Sequence, residues 1–155
     1  MKAITVQQPW ATLITLGHKT IETRPFNFHY RGPLAIHSSL KLPVSWYPFR
    51  QDEFVSALAP VCSINEYEVP MIDELPRGVV LAVVTLLDVR ATSTLLLDED
   101  VPREERVFGD FSEGRYAWYL GEPAVQIHPP VPAKGNTRIW EWEPTVRIPD
   151  ILERR

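Results

Sequence analysis

Three charged side chains lie within six residues near the N-terminus: Lys19, Glu22 and Arg24. A lysine ammonium can bind phosphate or stabilise an oxyanion, and a deprotonated lysine can act as a base or nucleophile. A glutamate can activate water or accept a hydrogen bond from an amino group on a ligand, and arginine can hold a phosphate. Lys19 and Glu22 are therefore the candidate catalytic residues, and Arg24 is a candidate binding residue. A purely structural ion-pair network is the alternative.

The flanking sequence predicts how this trio is positioned. Pro9 suits the first position of a helix, and Gly17 suits a left-handed residue that ends one, which predicts a helix over 9–16. Apolar residues repeat between them at the spacing of one helix face: Trp10, Leu13 and Ile14. Residues 20–24 then alternate as in a strand, which predicts that Thr20, Glu22 and Arg24 share one face.

Further polar and aromatic residues are candidates for the walls of the same site. Gln8 precedes the predicted helix, where unpaired backbone N–H groups accept polar ligands. A strand predicted over 34–39 ends in a polar run that could border the cleft. The candidate ligand-binding residues are thus Gln8, Trp10, Arg24, His37, Ser38 and Ser39. For Gln8 ordinary helix capping is the alternative, for Trp10 a place in the core, and for His37 a structural role.

Composition bounds the class of protein. The 155 residues suit a single domain over 1–155 that is large enough to bury a core. No uncharged apolar run reaches membrane-spanning length, and the N-terminus lacks the apolar region of a signal peptide. The single cysteine, Cys62, excludes an internal disulfide and fits a cytoplasmic location. No zinc-ligand spacing or phosphate-binding glycine loop is present, so no metal and no cofactor is expected.

Charge is unevenly distributed along the chain. The net charge is −4, yet residues 1–50 hold six Lys/Arg and one acid, whereas residues 51–123 hold five Arg and fifteen acids. Binding to duplex nucleic acid relies on many phosphate contacts, which this balance does not supply. The pattern is typical of a small anion pocket in the N-terminal third. The alternative is that the acids merely collect in solvated loops.

The remaining pattern predicts a β-rich fold. Fifteen prolines are spread along the chain and break it into short elements. Strands are predicted over 3–6, 20–24, 34–39, 79–92, 115–120 and 137–143, and residues 125–128 either continue the strand 115–120 or form another. A second helix is predicted over 50–59, a helical turn over 71–75 and a long acidic connection over 95–114. The fold class is therefore α+β, as a small mixed β-barrel with short flanking helices.

The motif Gly17-x-Lys19-x-x-Glu22-x-Arg24, preceded by Gln8-Pro9-Trp10-Ala11, resembles the signature of the ASCH domain family in the PUA-like superfamily. Further matching segments follow in order: Arg31-Gly32-Pro33-Leu34-Ala35-Ile36-His37, Phe108-Gly109-Asp110-Phe111, Gly114-Arg115-Tyr116-Ala117-Trp118, and Pro132-x-Lys134-Gly135 followed by Trp140. The resemblance therefore spans most of the chain. It implies a PUA-like pseudo-barrel with a cleft at the motif.

The resemblance also implies a set of functions. Such domains are broadly tied to RNA, so a nucleotide, nucleoside or single-stranded RNA is the expected partner, with no membrane contact. Some relatives remove acyl groups from N4 of cytidine and others are ribonucleases. The deacylase relatives have a threonine at the position of Glu22, and a further glutamate that would correspond to Glu104, Glu105 or Asp110.

Three functions stay open from the sequence, as does the oligomeric state. The leading hypothesis is a binding domain with one polar cleft for a nucleotide or for RNA. The second is a small hydrolase, either a ribonuclease or an N4-acylcytidine amidohydrolase, in which Lys19 and an acid do the chemistry. The third is a non-catalytic interaction module that meets a basic partner through the acidic segment 95–113.

Overall fold

The computed structural model of the chain describes residues 1–145 and 147–148. These residues form six strands: β1 (Lys2–Val6), β2 (Ile21–Arg24), β3 (Gly32–Ser38), β4 (Val79–Ala91), β5 (Tyr116–Pro132) and β6 (Ile139–Glu141). The same residues form four short α-helices: α1 (Trp10–Thr15), α2 (Asp52–Leu58), α3 (Leu97–Asp100) and α4 (Arg103–Phe108). Three single-turn 3₁₀ helices span Tyr47–Arg50, Ile72–Glu74 and Thr92–Thr94. The prediction of one domain over 1–155 extends to residues 146 and 149–155, which lie outside the described residues.

All six strands belong to one mixed sheet. Their order is β2-β5-β4-β3-β1-β6, and only the β1–β3 pair is parallel. The two longest strands, β4 and β5, pair from Ala91 opposite Tyr116 to Val79 opposite Pro132, with three shifts of register on the way. Such irregularities bend and twist a strand pair, so the sheet curls into a half-barrel. The predicted α+β class with a barrel-like sheet is confirmed.

Helix α1 lies between two apolar clusters and thereby fixes the site. Its Ala11 and Ile14 side chains pack on the sheet with Ile4, Leu34 and Trp118. Its Leu13 packs in a second cluster built from α2, α4 and the 3₁₀ helix that precedes α2, whose main members are Phe49, Phe54, Leu58 and Phe108. Because both faces of α1 are buried, the helix is held rigidly and fixes the position of the residues that lead from it into β2.

Most predicted elements are present with shifted ends. The helix predicted over 9–16 is Trp10–Thr15, and Gly17 has the left-handed conformation expected at its end (φ 83°). Of the two alternatives for residues 125–128, the structure shows the first: they continue the strand predicted over 115–120, as β5. The acidic connection 95–114 contains α3 and α4, because Val101, Glu105 and Phe108 are buried against the rest of the protein. Within the described residues, no helix has the length and apolar character needed to cross a membrane.

Candidate functional site

A cleft of about 490 Å³ opens between β2 and the helices packed on α1. Apolar residues form one part of its lining, and charged residues of β2 and of the segment before β5 form another. The lining residues include Trp10, Glu22, Arg24, Pro25, Phe49, Phe54, Val107, Phe108, Gly109, Asp110 and Arg115. Concave spaces of this size that combine apolar walls with a few polar groups are the usual form of small-ligand sites.

The apolar wall is held by aromatic contacts among four helical segments. Trp10 of α1 meets Phe49 edge to face, with ring centroids 5.4 Å apart. Its indole Nε1 donates a hydrogen bond to the Phe108 carbonyl oxygen at 2.7 Å. Phe54 of α2 meets Phe108 of α4 edge to face at 5.0 Å. Trp10 is half-buried, so it contributes both to the core and to the cleft wall.

Glu22 and Arg24 form an ion pair on the charged side of the cleft. Arg24 Nη2 lies 3.4 Å from Glu22 Oε2 and donates a hydrogen bond to the Thr5 carbonyl oxygen at 2.8 Å. The other carboxylate oxygen, Glu22 Oε1, accepts a hydrogen bond from the backbone N–H of Thr23 at 3.1 Å. The two residues are two apart in β2, so the alternation of the strand presents both on one face, as predicted.

Lys19 lies directly behind this pair and is buried. Its Nζ donates a hydrogen bond to the Ile21 carbonyl oxygen at 2.6 Å and lies 3.8 Å from Glu22 Oε1. The residue is 1 % exposed and is not among the residues that line the cleft. Gly109 separates the ammonium from the cleft: a Cβ at that position would lie 3.4 Å from Lys19 Nζ. The ammonium therefore lies behind a thin cover of backbone.

Of the three acids considered, Glu105 is the one that holds the motif in place. Its carboxylate accepts hydrogen bonds from the Thr20 backbone N–H, the Thr20 hydroxyl and the Ile21 backbone N–H. Burial raises the pKa of Glu105, and these hydrogen bonds and the nearby Lys19 charge offset only part of that rise. Glu104 is exposed and borders a different depression, beside Asp52 and Glu53.

Arg115 is a cleft residue that the set of candidates above lacks. Its Nη2 donates to the Thr23 carbonyl oxygen at 2.9 Å, and its Nε donates to the Asp110 carbonyl oxygen at 3.1 Å. The pKa of Asp110 is lowered chiefly by hydrogen bonds from Ser112, and also by the Arg115 charge. A signal for Arg115 was present in the sequence, because it belongs to the Gly114-Arg115-Tyr116 segment that matches the family pattern.

Four of the predicted wall residues lie away from the cleft lining. Gln8 is fully buried; its Nε2 donates to the Pro76 carbonyl oxygen at 2.7 Å and its Oε1 accepts from the Thr12 backbone N–H. His37 Nε2 lies 2.7 Å from the Ala133 carbonyl oxygen. The Ser38 hydroxyl donates to the Val79 carbonyl oxygen, and the Ser39 hydroxyl accepts from the Lys41 backbone N–H. These side chains fix neighbouring chain segments.

The charged groups of the cleft supply hydrogen bonding and charge: the carboxylates of Glu22 and Asp110, the guanidinium groups of Arg24 and Arg115, and the buried Lys19 ammonium behind them. Within residues 1–145 and 147–148, no cluster of three or more His, Cys, Asp and Glu side chains is arranged to hold an ion. The charged groups suit a planar polar ligand or an anion.

Comparisons with known proteins bear on the fold and on the family. The fold is similar to that of a serine-to-alanine mutant of ZmASCH from Zymomonas mobilis, at 14 % identity and a TM-score of 0.51, over 93 % of this chain and 88 % of that one. A tyrosine-to-phenylalanine mutant of ZmASCH from the same organism matches at 15 % identity and a TM-score of 0.46, over 84 % and 74 %. No curated protein sequence matches significantly. The model of the ASCH domain matches residues 4–129. The chain therefore belongs to the ASCH domain family.

Proposed function

We propose that the cleft binds one nucleotide, either free or as part of single-stranded RNA. The observation that carries this proposal is the division of one cleft into an aromatic wall and a charged side. A nucleotide has the same division, because its base is flat and apolar on its faces and polar at its edge, and its phosphate is anionic. The volume of about 490 Å³ accommodates a single nucleotide.

The aromatic wall supports binding of an unpaired base. Trp10 and Phe108 line the cleft and are fixed to each other by the indole hydrogen bond, so the wall is in place before a ligand arrives. A base that stacks on an aromatic side chain gains about 1–3 kcal/mol. Bases within a duplex are stacked on each other and cannot enter such a cleft, so the proposal is restricted to single strands and free nucleotides.

The charges support contact with few phosphates. Arg24 and Arg115 line the cleft, whereas the protein as a whole is acidic, with a net charge of −4. Each phosphate neutralised on a single strand contributes a slope of about −0.7 to the dependence of log K on log salt concentration. With one or two phosphates engaged, we expect a shallow slope of about −1, unlike the steep dependence of proteins that bind long stretches of backbone.

The test is a binding measurement with a matched pair of arginine variants. A fluorescently labelled ten-nucleotide RNA of random sequence is titrated with wild-type protein, Arg115→Gln and Arg103→Gln. Arg103 is exposed and lies outside the cleft, where it pairs with Glu53. We expect Arg115→Gln to weaken binding about tenfold and Arg103→Gln to leave it near wild type. Equal affinities for all three proteins would contradict the assignment of the cleft, and absence of binding by the wild type would contradict the function.

A hydrolase is the second candidate, and the buried Lys19 favours it. Its ammonium lies 3.8 Å from Glu22, and Glu22 lines the cleft, so a positive charge stands behind the carboxylate that would meet a substrate. Such a fixed charge can stabilise the anion that develops in phosphodiester or amide hydrolysis. Incubation of wild type and Glu22→Gln with single-stranded RNA and with N4-acylated cytidines, followed by mass spectrometry, tests it. Product from the wild type alone would establish catalysis, whereas no product from either would exclude these reactions.

A further inference from the structure

The Glu22 carboxylate has spare hydrogen-bond capacity inside the cleft. Its two oxygens offer about four acceptor positions. Among the described residues, one hydrogen bond reaches it, from the Thr23 N–H to Oε1; Lys19 and Arg24 contribute charge at 3.8 and 3.4 Å. The residue is 9 % exposed and lines the cleft, so a ligand can reach it while bulk water has little access. A buried acceptor with unused lone pairs favours a ligand that donates to it.

Hydrogen-bond donors line the same cleft as that acceptor. Arg24 uses Nη2 on Thr5, and Arg115 uses Nη2 on Thr23 and Nε on Asp110. Within the part of the chain that the structure describes, the Nη1 group of each guanidinium remains as a donor, and both side chains line the cleft. Both arginines are held by backbone carbonyl oxygens and are thus fixed in direction. The charged side of the cleft therefore offers a two-oxygen acceptor next to fixed donors.

We propose that the cleft selects guanine, with the Glu22 carboxylate accepting from N1–H and the N2 amino group of the base. The neighbouring guanidinium groups donate to O6. This inference rests on the proposed function, because it names the base that the same cleft binds. Guanine presents two adjacent N–H donors followed by a carbonyl acceptor, which matches a carboxylate followed by an arginine.

The other bases fit this arrangement less well. Cytosine has an amino group beside N3, and adenine has an amino group beside N1; each ring nitrogen carries a lone pair that would face the second carboxylate oxygen. Uracil has a single N–H between two carbonyl oxygens, so it satisfies one oxygen of Glu22 and brings a carbonyl oxygen close to the other. A buried polar site discriminates strongly against a ligand that leaves its groups unpaired.

Binding of modified nucleotides to the wild-type protein tests the proposal without any substitution. The ligands are GMP, AMP, CMP, UMP, IMP, which lacks the N2 amino group, 1-methyl-GMP, which lacks the N1 proton, and 7-deaza-GMP, which is changed only at the opposite edge. We expect GMP and 7-deaza-GMP to bind within about twofold of each other. We expect IMP, 1-methyl-GMP and the other three nucleotides to bind about tenfold more weakly or worse.

A substitution then assigns the selectivity to the residue. Glu22→Gln should reduce the preference for GMP over AMP to within about threefold, whereas Glu104→Gln, the same change at an exposed position outside the cleft, should leave it unaltered. Circular dichroism spectra confirm that both variants are folded. Equal binding of the four common nucleotides would overturn the guanine assignment and leave the proposed function standing. Absence of binding by every nucleotide and by single-stranded RNA would overturn both.

Discussion

The ammonium of Lys19 lies 3.8 Å from Glu22 Oε1, and Arg24 lies 3.4 Å from the other oxygen of the same carboxylate. One carboxylate thus stands between two cations, one fully buried behind the cleft and one in its lining. The Lys19 charge is compensated by this carboxylate and by a hydrogen bond to the Ile21 carbonyl oxygen. The motif therefore contributes to stability as well as to the lining of the cleft.

Replacement of Lys19 by methionine tests whether the pairing of Lys19 with Glu22 stabilises the folded protein. The side chains are similar in volume, but the variant leaves the nearly buried Glu22 carboxylate without its buried partner. We expect the free energy of unfolding to fall by about 3 kcal/mol, as when one member of a buried ion pair is removed. Urea denaturation monitored by tryptophan fluorescence measures the change.

Two controls accompany the lysine variant. Lys2→Met removes an exposed ion pair with Glu141 and should leave the free energy of unfolding close to that of the wild type. The double variant Lys19→Met, Glu22→Gln should recover at least about 1 kcal/mol of the loss, because it no longer contains an uncompensated carboxylate. A double variant as unstable as the sum of the two single variants would show that the two residues do not interact.

Glu105 should make stability depend on pH. Burial raises the pKa of Glu105 above its ordinary value of 4.5, so the folded protein holds this proton more tightly than the unfolded chain does. Its contribution to stability is therefore fully present below about pH 4.5 and is lost as the pH rises through the raised value. We expect the free energy of unfolding of the wild type to fall relative to that of Glu105→Gln as the pH increases from 4.5 towards neutrality.

Thermal unfolding of both proteins between about pH 4 and pH 7 measures this difference. Comparison with the variant is needed because other acids act in the opposite direction: hydrogen bonds lower the pKa of Asp110 and Asp88, which favours folding at higher pH. Glu104→Gln, at an adjacent exposed position, is the matched control and should run parallel to the wild type. A constant difference between wild type and Glu105→Gln would contradict the raised pKa.

The local part of the site could be predicted from sequence, and the part assembled from distant segments could not. Glu22 and Arg24 share a face because they are two apart in a strand. Gly17 ends α1 in the left-handed conformation that glycine favours. Arg115 and the aromatic wall come to the same cleft from segments far away in the chain, and no period or spacing relates such segments before the chain folds. Burial of Glu105 depends on the same long-range packing, so the sequence alone does not distinguish it from Glu104 and Asp110.

Gly135 is expected to tolerate no side chain. A Cβ there would lie 2.6 Å from His37 Cε1 and 2.7 Å from Thr5 Oγ1, and the imidazole is held on both sides, by Ala133 and by Thr5. Gly135→Ala should lower the free energy of unfolding by about 1–3 kcal/mol, as in other overpacked interiors. Urea denaturation of this variant in the wild-type and in a His37→Ser background provides the check, since the loss should shrink once the ring is absent. An equal loss in both backgrounds would locate the strain elsewhere.

A side chain at Gly109 would point towards the buried Lys19 and away from the cleft. A Cβ at this position would lie 3.0 Å from Phe111 Cε2, 3.3 Å from the Glu105 carbonyl oxygen and 3.4 Å from Lys19 Nζ, contacts that a small rotation of the ring and slight shifts can relieve. Gly109→Ala should therefore lower the free energy of unfolding by about 1 kcal/mol, which urea denaturation measures. Gly114→Ala is the comparison: a Cβ there would meet no atom within 4 Å, and φ of 85° should make that variant about 1 kcal/mol less stable through backbone strain alone. A Gly109→Ala variant as stable as the wild type would show that the groups around the added methyl group rearrange without cost.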